Sequence, residues 1–478
     1  MVGNLKWRRY FIYSVLLCIG VTFWGRIVYL GTADKDFLQR KGKTSEKLEV
    51  IPAVRGSIID RNGQVLAVST PGYSISINPS HTHFSEEELK TISKVLKLDI
   101  DRLRSNIRSN NNKKFLFLKR KVARETGDFL RSFSIQGLNY DEEYHRYYPA
   151  AETSAHVVGR TNIDGLGSEG VELSQDKLLQ GRHGEKLVLR DRKGGLIRDL
   201  NYESPPKFGK DIRLTIDLNL QFIAYKELKS AVESHRARSG SLIMLDARSG
   251  DILAMVNQPS YNPNESVPNM EVLRNRAVTD AYEPGSTIKP FAILAALQGG
   301  DFRTDSIVDT SPGSYVLSGH KIKDPVNYGA ISLSEIIQFS SNVGISKIAL
   351  ALPNRAIYEV LRRSGFGEQV DIGLPGETKG FLKPNDLEIP VQRAALAYGY
   401  GLTVTPLQLA NAYLKIASHG QNRRASIFRS EFNPPSARIH GESLSKEVIK
   451  MMVTVTEIEG TGKAAAVEGY RVAGKTGT

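Results

Sequence analysis

Positions 475–478 read KTGT, and Lys475-Thr476-Gly477-Thr478 completes a pattern begun far upstream. Ser286-Thr287-Ile288-Lys289 comes first and Ser340-Ser341-Asn342 lies between. Ser286 and Lys289 stand three positions apart, so on a helix they share one face. Pro284-Gly285 marks a helix start, and Pro290 is tolerated only near such a start. This predicts Ser286 in the first helical turn, at the positive end of the helix dipole. A serine hydroxyl is a weak nucleophile at neutral pH and needs an adjacent base. Lysine can be that base only if its pKa falls from about 10.4 towards neutrality. Burial and a neighbouring cation both lower it. Lys475 could be that cation while also drawing in a substrate carboxylate.

Each element of the pattern is weak alone. S-x-x-K also occurs at Ser174 with Lys177, Ser204 with Lys207 and Ser443 with Lys446, and S-x-N at Ser109 with Asn111 and Ser260 with Asn262. The ordered triple is far more specific than its parts. The helical run 333–337 precedes Ser340, so Ser340 and Asn342 are expected in the turn after it.

The 478 residues suffice for two or three domains. Hydrophobic content of 40% and charged content of 24% describe a globular chain. The formal net charge of +13 is spread along the sequence and reads as a solvated surface, with attraction to an anionic surface or polymer such as the cell wall as the sharper alternative. No nucleic-acid module is visible. Cys18 is the only cysteine, which excludes an internal disulfide and a thiolate metal site. The nine histidines show no metal-binding spacing, and no cofactor is implied.

Residues 11–30 read FIYSVLLCIGVTFWGRIVYL, long enough to span a bilayer core. Lys6, Arg8 and Arg9 precede it, which predicts a cytoplasmic N-terminus over 1–10. Trp7 and Tyr10 suit one interface, Trp24 and Tyr29 the other, and Arg26 can snorkel outwards. The rival reading is a signal peptide cleaved near Gly31-Thr32-Ala33. Against it, the apolar stretch exceeds a usual h-region and carries an arginine near its end.

Residues 31–205 read as one non-catalytic module. Asn62-Gly63 signals a hairpin turn. Ser85 with Glu88 forms a capping box ahead of Leu89, Ile92, Val95 and Leu96 at helical spacing. Lys113, Lys114, Lys119, Arg120 and Lys121 flank a short strand at 115–118 and read as a solvated edge. Pro205-Pro206-Lys207-Phe208-Gly209 is a linker-like break, so 206–478 should be a second domain. There Asp217 can cap a helix with Leu220, Ile223, Ala224, Leu228, Ala231 and Val232 on one face. Strands at 241–245 and 252–256 follow, joined by a turn at 246–250, then helices, then a strand at 470–474. That order is α+β.

With these residues in view, the chain resembles the class B penicillin-binding proteins, the monofunctional peptidoglycan transpeptidases. RGSIIDRNGQVLA (55–67), RYYPAAETSAHVVGRTN (146–162) and Gly170, Glu172, Gly181 and Gly184 are similar to that family's pedestal signatures. SGDILAMVNQPSYNPN (249–264), AYEPGSTIKP (281–290) and GYGLTVTPLQLANAY (399–413) resemble its catalytic blocks. SSNVGISKIALAL (340–352) resembles the cell-division, FtsI-type member; the elongation-specific sister usually has aspartate at the place of Asn342.

The resemblance implies an α+β penicillin-binding transpeptidase domain, a central antiparallel sheet with helices on both sides, behind an elongated dimerisation-like pedestal and one transmembrane helix. It implies that Ser286 attacks the penultimate D-alanine carbonyl of a D-Ala-D-Ala stem peptide and that Lys289 takes the serine proton. Ser340 would relay a proton to the leaving amine, and Asn342 would hold Lys289 and the substrate amide. Lys475, Thr476, Gly477 and Thr478 would line the carboxylate site, with the N–H groups of Ser286 and Thr478 as oxyanion hole. β-Lactams would imitate the donor. Expected partners are a polytopic septal glycosyltransferase and bitopic division proteins, at the inner-membrane division septum with the bulk of the chain periplasmic. Family members continue past KTGT with further strands and a helix, so the sequence is expected to be truncated, with C-terminal strands missing. A β-lactamase or penicillin sensor, an elongation-specific transpeptidase and a non-catalytic division scaffold are the alternatives.

Overall fold

The computed structural model describes residues 4–32, 46–190, 196–267, 269–384, 387–429 and 437–478. Residues 1–3 of the expected cytoplasmic stretch, Ala33 of the alternative cleavage site and the beginning of the expected pedestal lie outside the described residues. The apolar run folds as one helix, Asn4–Thr32. Over Lys6–Thr32 it is long and apolar enough to cross a membrane, and none of its side chains is buried.

The chain divides into two compact units. One comprises Met1–Val54 with Gly181–Gly209, and holds an antiparallel sheet of strands Glu46–Ile51, Gly184–Arg190 and Leu196–Ser204, with Gly184–Arg190 in the middle.

The other unit, Arg55–Gln180 with Lys210–Thr478, carries the remaining elements. Its long strand Val65–Ile77 leaves the Asn62-Gly63 turn and pairs antiparallel with both Leu138–Tyr147 and Leu116–Ala123. Alternation sets its two faces. Tyr73, Ile75 and Ile77 are buried with Leu89, Ile92 and Leu96 of the capped helix Glu86–Leu96. Ser74 and Ser76 point the other way and donate to Glu143 and Asp141. The basic residues expected as a solvated edge are mostly engaged. Lys119 donates to the Leu96 carbonyl at 2.5 Å, Arg120 pairs with Glu143 and Asp164, and Lys121 donates to the Asn162 carbonyl at 2.9 Å.

Residues from the stretches 55–67 and 146–162 converge on one carboxylate. Glu172 is fully buried and receives Arg55 Nε at 2.7 Å and Arg146 Nε at 2.6 Å. Arg55 also reaches Asp176 at 2.6 Å. Buried charges persist only when paired and hydrogen-bonded in this way. Nearby, Asp60 accepts the N–H groups of Asn62, Gln64 and Leu218.

Asp217 caps the helix Leu218–Ser234, as its position predicts. Its expected apolar face is only partly covered, because Ile223 is 56% exposed, as is Phe222. Ala224 is buried against Ala254 and Val256 with Leu228 beside it, and the second buried contact is polar. Gln221 accepts from the Met255 N–H and donates to the Met255 carbonyl, each at 2.8 Å, satisfying one edge of strand Ile252–Gln258. That strand pairs antiparallel with Gly240–Leu245. At the centre of the helical core runs Lys289–Gly299, in which every residue through Leu297 is buried. KPFAILAALQG is apolar almost all round, the pattern of a helix packed on every side. The expected strand at 470–474 does not form. Gly474 N–H donates to the Met452 carbonyl at 3.0 Å, and the Val472 carbonyl accepts from Thr456 Oγ1 at 2.7 Å, so these groups are taken up by a helix end and a side chain, not by a ladder.

Candidate active site

Ser286 sits in a one-turn 3-10 segment, Gly285–Ile288, which runs into the helix Lys289–Gly299. This corrects the expected first α-helical turn: Pro290 forces the α-helix proper to begin at Lys289. Gly285 has φ +55°, and a Cβ there would stand 2.7 Å from the Thr478 carbonyl oxygen. Its N–H donates to the Gly399 carbonyl at 3.0 Å. Gly399 is closer still, since a Cβ on it would lie 1.8 Å from the Gly285 oxygen. Tyr413 Oη donates to the Thr287 carbonyl at 2.7 Å, fixing the turn from beneath. Ser286 is partly exposed, and its hydroxyl makes no hydrogen bond among the described residues.

Lys289 is fully buried. Its Nζ donates to the Ser340 carbonyl at 2.5 Å, to Ser340 Oγ at 3.0 Å and to Asn342 Oδ1 at 2.8 Å. Burial holds its pKa well below the usual lysine range, the charge of Lys475 lowers it further, and Asp324 acts in the opposite direction. Both causes named from the sequence therefore operate, burial first.

Ser340 adopts φ +59° in the turn between helices Leu333–Gln338 and Asn342–Ala351. Its Oγ also accepts from Lys475 Nζ at 2.9 Å, so one hydroxyl bridges two lysines. Burial lowers the Lys475 pKa to about 8. Thr476 Oγ1 meets Thr461 Oγ1 at 3.0 Å. A Cβ on Gly477 would lie 3.0 Å from Thr287 Cγ2, which sets the KTGT segment against the serine turn. The structure thus brings together Ser286, Lys289, Ser340, Asn342, Lys475, Thr476, Gly477 and Thr478. Among the described residues no group of three or more His, Cys, Asp or Glu could hold a metal ion.

Sequence reasoning missed two contributors. Buried Asp324 accepts from Ser341 Oγ and from Asn342 N–H, each at 2.5 Å, and from Val343 N–H at 3.1 Å. Ser341 Oγ in turn accepts the Gly344 N–H at 2.9 Å, capping the helix that begins at Asn342. A lone aspartate sixteen positions before Ser340 carries no spacing signal. Tyr413 is the other: it closes the 399–413 block, but its spacing along the helix Pro406–Ala417 assigned it no role.

The arrangement offers a reachable hydroxyl, a buried amine biased towards neutrality, a hydroxyl between two amines, and a cation on an extended segment. Those are the parts that acyl transfer to serine requires.

Comparison with known proteins agrees with this chemistry. Residues 240–478 match the model of the penicillin binding protein transpeptidase domain, and residues 50–214 that of the penicillin-binding protein dimerisation domain. The chain is 38% identical to the peptidoglycan D,D-transpeptidase FtsI of Escherichia coli K12, over 99% of this chain and 81% of that protein. It is also 38% identical to the probable peptidoglycan D,D-transpeptidase PenA of Neisseria meningitidis serogroup A, over 97% and 81%. Among solved structures, penicillin binding protein 3 of Mycobacterium tuberculosis complexed with ampicillin superposes with a TM-score of 0.68 at 26% identity, covering 90% of this chain and 81% of that one. The aztreonam complex gives 0.67 at 26% identity, covering 90% and 82%.

Proposed function

The chain belongs to the class B penicillin-binding proteins, and from that membership we propose that it is an FtsI-type serine D,D-transpeptidase that cross-links peptidoglycan stem peptides through an acyl-enzyme on Ser286. Lys289 takes the Ser286 proton as Oγ bonds to the penultimate D-alanine carbonyl carbon. The N–H groups of Ser286 and Thr478 carry the developing oxyanion, charge stabilisation that counts most when the donors are already in place. The carbonyl C–N bond then breaks, Ser340 passes a proton to the leaving amine, and terminal D-alanine departs. In the second half an amine of a neighbouring stem peptide bonds to the same carbon, the ester C–O bond breaks, and Ser286 regains its proton. Asn342 holds Lys289 and the substrate amide, while Lys475, Thr476, Gly477 and Thr478 receive the terminal carboxylate. β-Lactams block the site because they acylate the same hydroxyl.

The observation that carries this reading is the double engagement of Ser340 Oγ, by Lys289 at 3.0 Å and Lys475 at 2.9 Å. It gives the lysine base a cationic neighbour and gives the relay hydroxyl a proton source on either side. In the same reading residues 11–30 anchor the chain in the inner membrane, 1–10 are cytoplasmic, 31–205 form the periplasmic pedestal and 206–478 carry the chemistry at the septum. A polytopic glycosyltransferase and bitopic division proteins are the partners. The test is release of D-alanine from a D-Ala-D-Ala pentapeptide by the full-length protein. Ser286→Ala should abolish release, and release that persists in this variant would refute the assignment.

A further inference from the structure

Glu283 stands three residues before Ser286 with its side chain exposed. Its Oε1 accepts the Gly401 N–H at 3.1 Å. Two residues earlier in that loop, the Gly399 carbonyl accepts the Gly285 N–H at 3.0 Å. The carboxylate is therefore tied to the loop that supports the serine turn. Among the described residues it makes no ion pair.

The charge at Ser340 is unbalanced. Lys289 and Lys475 both touch Ser340 Oγ; Lys289 is held towards neutrality, so Lys475 carries the positive charge there. The Asp324 carboxylate is buried, with its oxygens committed to Ser341, Asn342 and Val343. An aliphatic acceptor amine is an ammonium at neutral pH, and the Lys475 charge repels it. We infer that Glu283 is the counter-charge for the acceptor: it draws the ammonium of the incoming amine to the acyl-enzyme on Ser286. This rests on the reaction proposed above and supplies a specificity residue for its second half. Glu283 does not take the proton. The ammonium loses one proton to the medium. As its nitrogen bonds to the acyl carbon and the ester C–O bond breaks, a second passes through the Lys289 and Ser340 groups to Ser286 Oγ.

Glu283→Gln keeps an oxygen for the Gly401 N–H and removes only the charge. The full-length protein, acylated by a D-alanyl thioester donor, is offered D-alanine or D-lactate, which differ in carrying an ammonium or a hydroxyl. Transfer is measured against hydrolysis. In Glu283→Gln the half-saturating D-alanine concentration should rise about two- to fivefold, the scale of an exposed charge pair, with a much smaller change for D-lactate. The difference should shrink at high salt, and Glu283→Asp should keep the preference for D-alanine. Equal shifts for both acceptors, or none for either, overturn the inference while leaving acylation standing. Failure of the unaltered protein to release thiol from the donor overturns the acylation reading and this inference together.

Discussion

Asp324 holds Asn342 by its backbone, the Asn342 N–H donating to Asp324 Oδ1 at 2.5 Å. The same carboxylate binds Ser341 Oγ, while the Asn342 side chain accepts from Lys289 Nζ at 2.8 Å. A buried acid outside the expected set of site residues thus sets where the asparagine meets the lysine. Asp324→Ala would strand a hydroxyl and two N–H groups, at a cost of about 1–3 kcal/mol for a buried group left unpaired. Acylation by a fluorescent penicillin should slow by roughly tenfold or more, since small misplacements of reacting groups are costly. Stopped-flow labelling and urea unfolding, run together, check both parts. An unaltered acylation rate would remove Asp324 from the positioning of the site.

The pH profile of acylation follows from the two lysines. Lys289 must be uncharged to accept a proton, so the rate should rise as pH climbs through its depressed pKa. Lys475⁺ is one of the causes of that depression, so Lys475→Gln should raise the Lys289 pKa and move the acid limb to higher pH. The unaltered protein should also lose activity above about pH 8, where Lys475 gives up the charge that receives the carboxylate. Penicillin acylation measured across pH for both proteins reads both limbs. An acid limb that stays in place in the variant would contradict the coupling.

Glu172 neutralises Arg55 and Arg146 in the interior. Glu172→Ala leaves two buried guanidinium groups without it, and breaking such a pair costs about 3–5 kcal/mol. Chemical unfolding should show the loss directly. A change confined to a few tenths of a kcal/mol would mean that water reaches the cluster.

His440 gives the fold an acid-sensitive joint. Its Nε2 lies 3.0 Å from Ser364 Oγ, and Lys415 Nζ donates to the Ser364 carbonyl at 2.8 Å. Burial, with the charges of Lys415 and Arg363, lowers the His440 pKa to about 4. Between about pH 6.5 and that value the unfolded chain binds more protons than the folded one, so stability falls as pH falls through this window. His440→Gln should flatten that part of the stability curve, as followed by urea unfolding at a series of pH values. An unchanged slope would place the acid sensitivity elsewhere.

Much of this site is legible in the sequence because three short patterns in fixed order carry the residues whose chemistry acts. The capped helices at Ser85 and Asp217, and the hairpin after Gly240, followed from local rules of hydrogen bonding and alternation. What escaped depends on distant partners. Asp324 and Tyr413 act through backbone groups of residues remote in sequence, so neither produces a spacing. Ile223 fits the apolar period of its helix yet stays exposed, because the helix turns Gln221 and Ala224 inwards. The stretch 470–474 has strand-like composition, but its bonds go to Met452 and Thr456.

The most direct measurement is where penicillin attaches. The full-length protein would be incubated with benzylpenicillin, digested, and its peptides weighed by mass spectrometry. The account predicts one covalent adduct, on the peptide containing Ser286, and none in Ser286→Ala. An adduct on another residue, or one that survives the substitution, would contradict it.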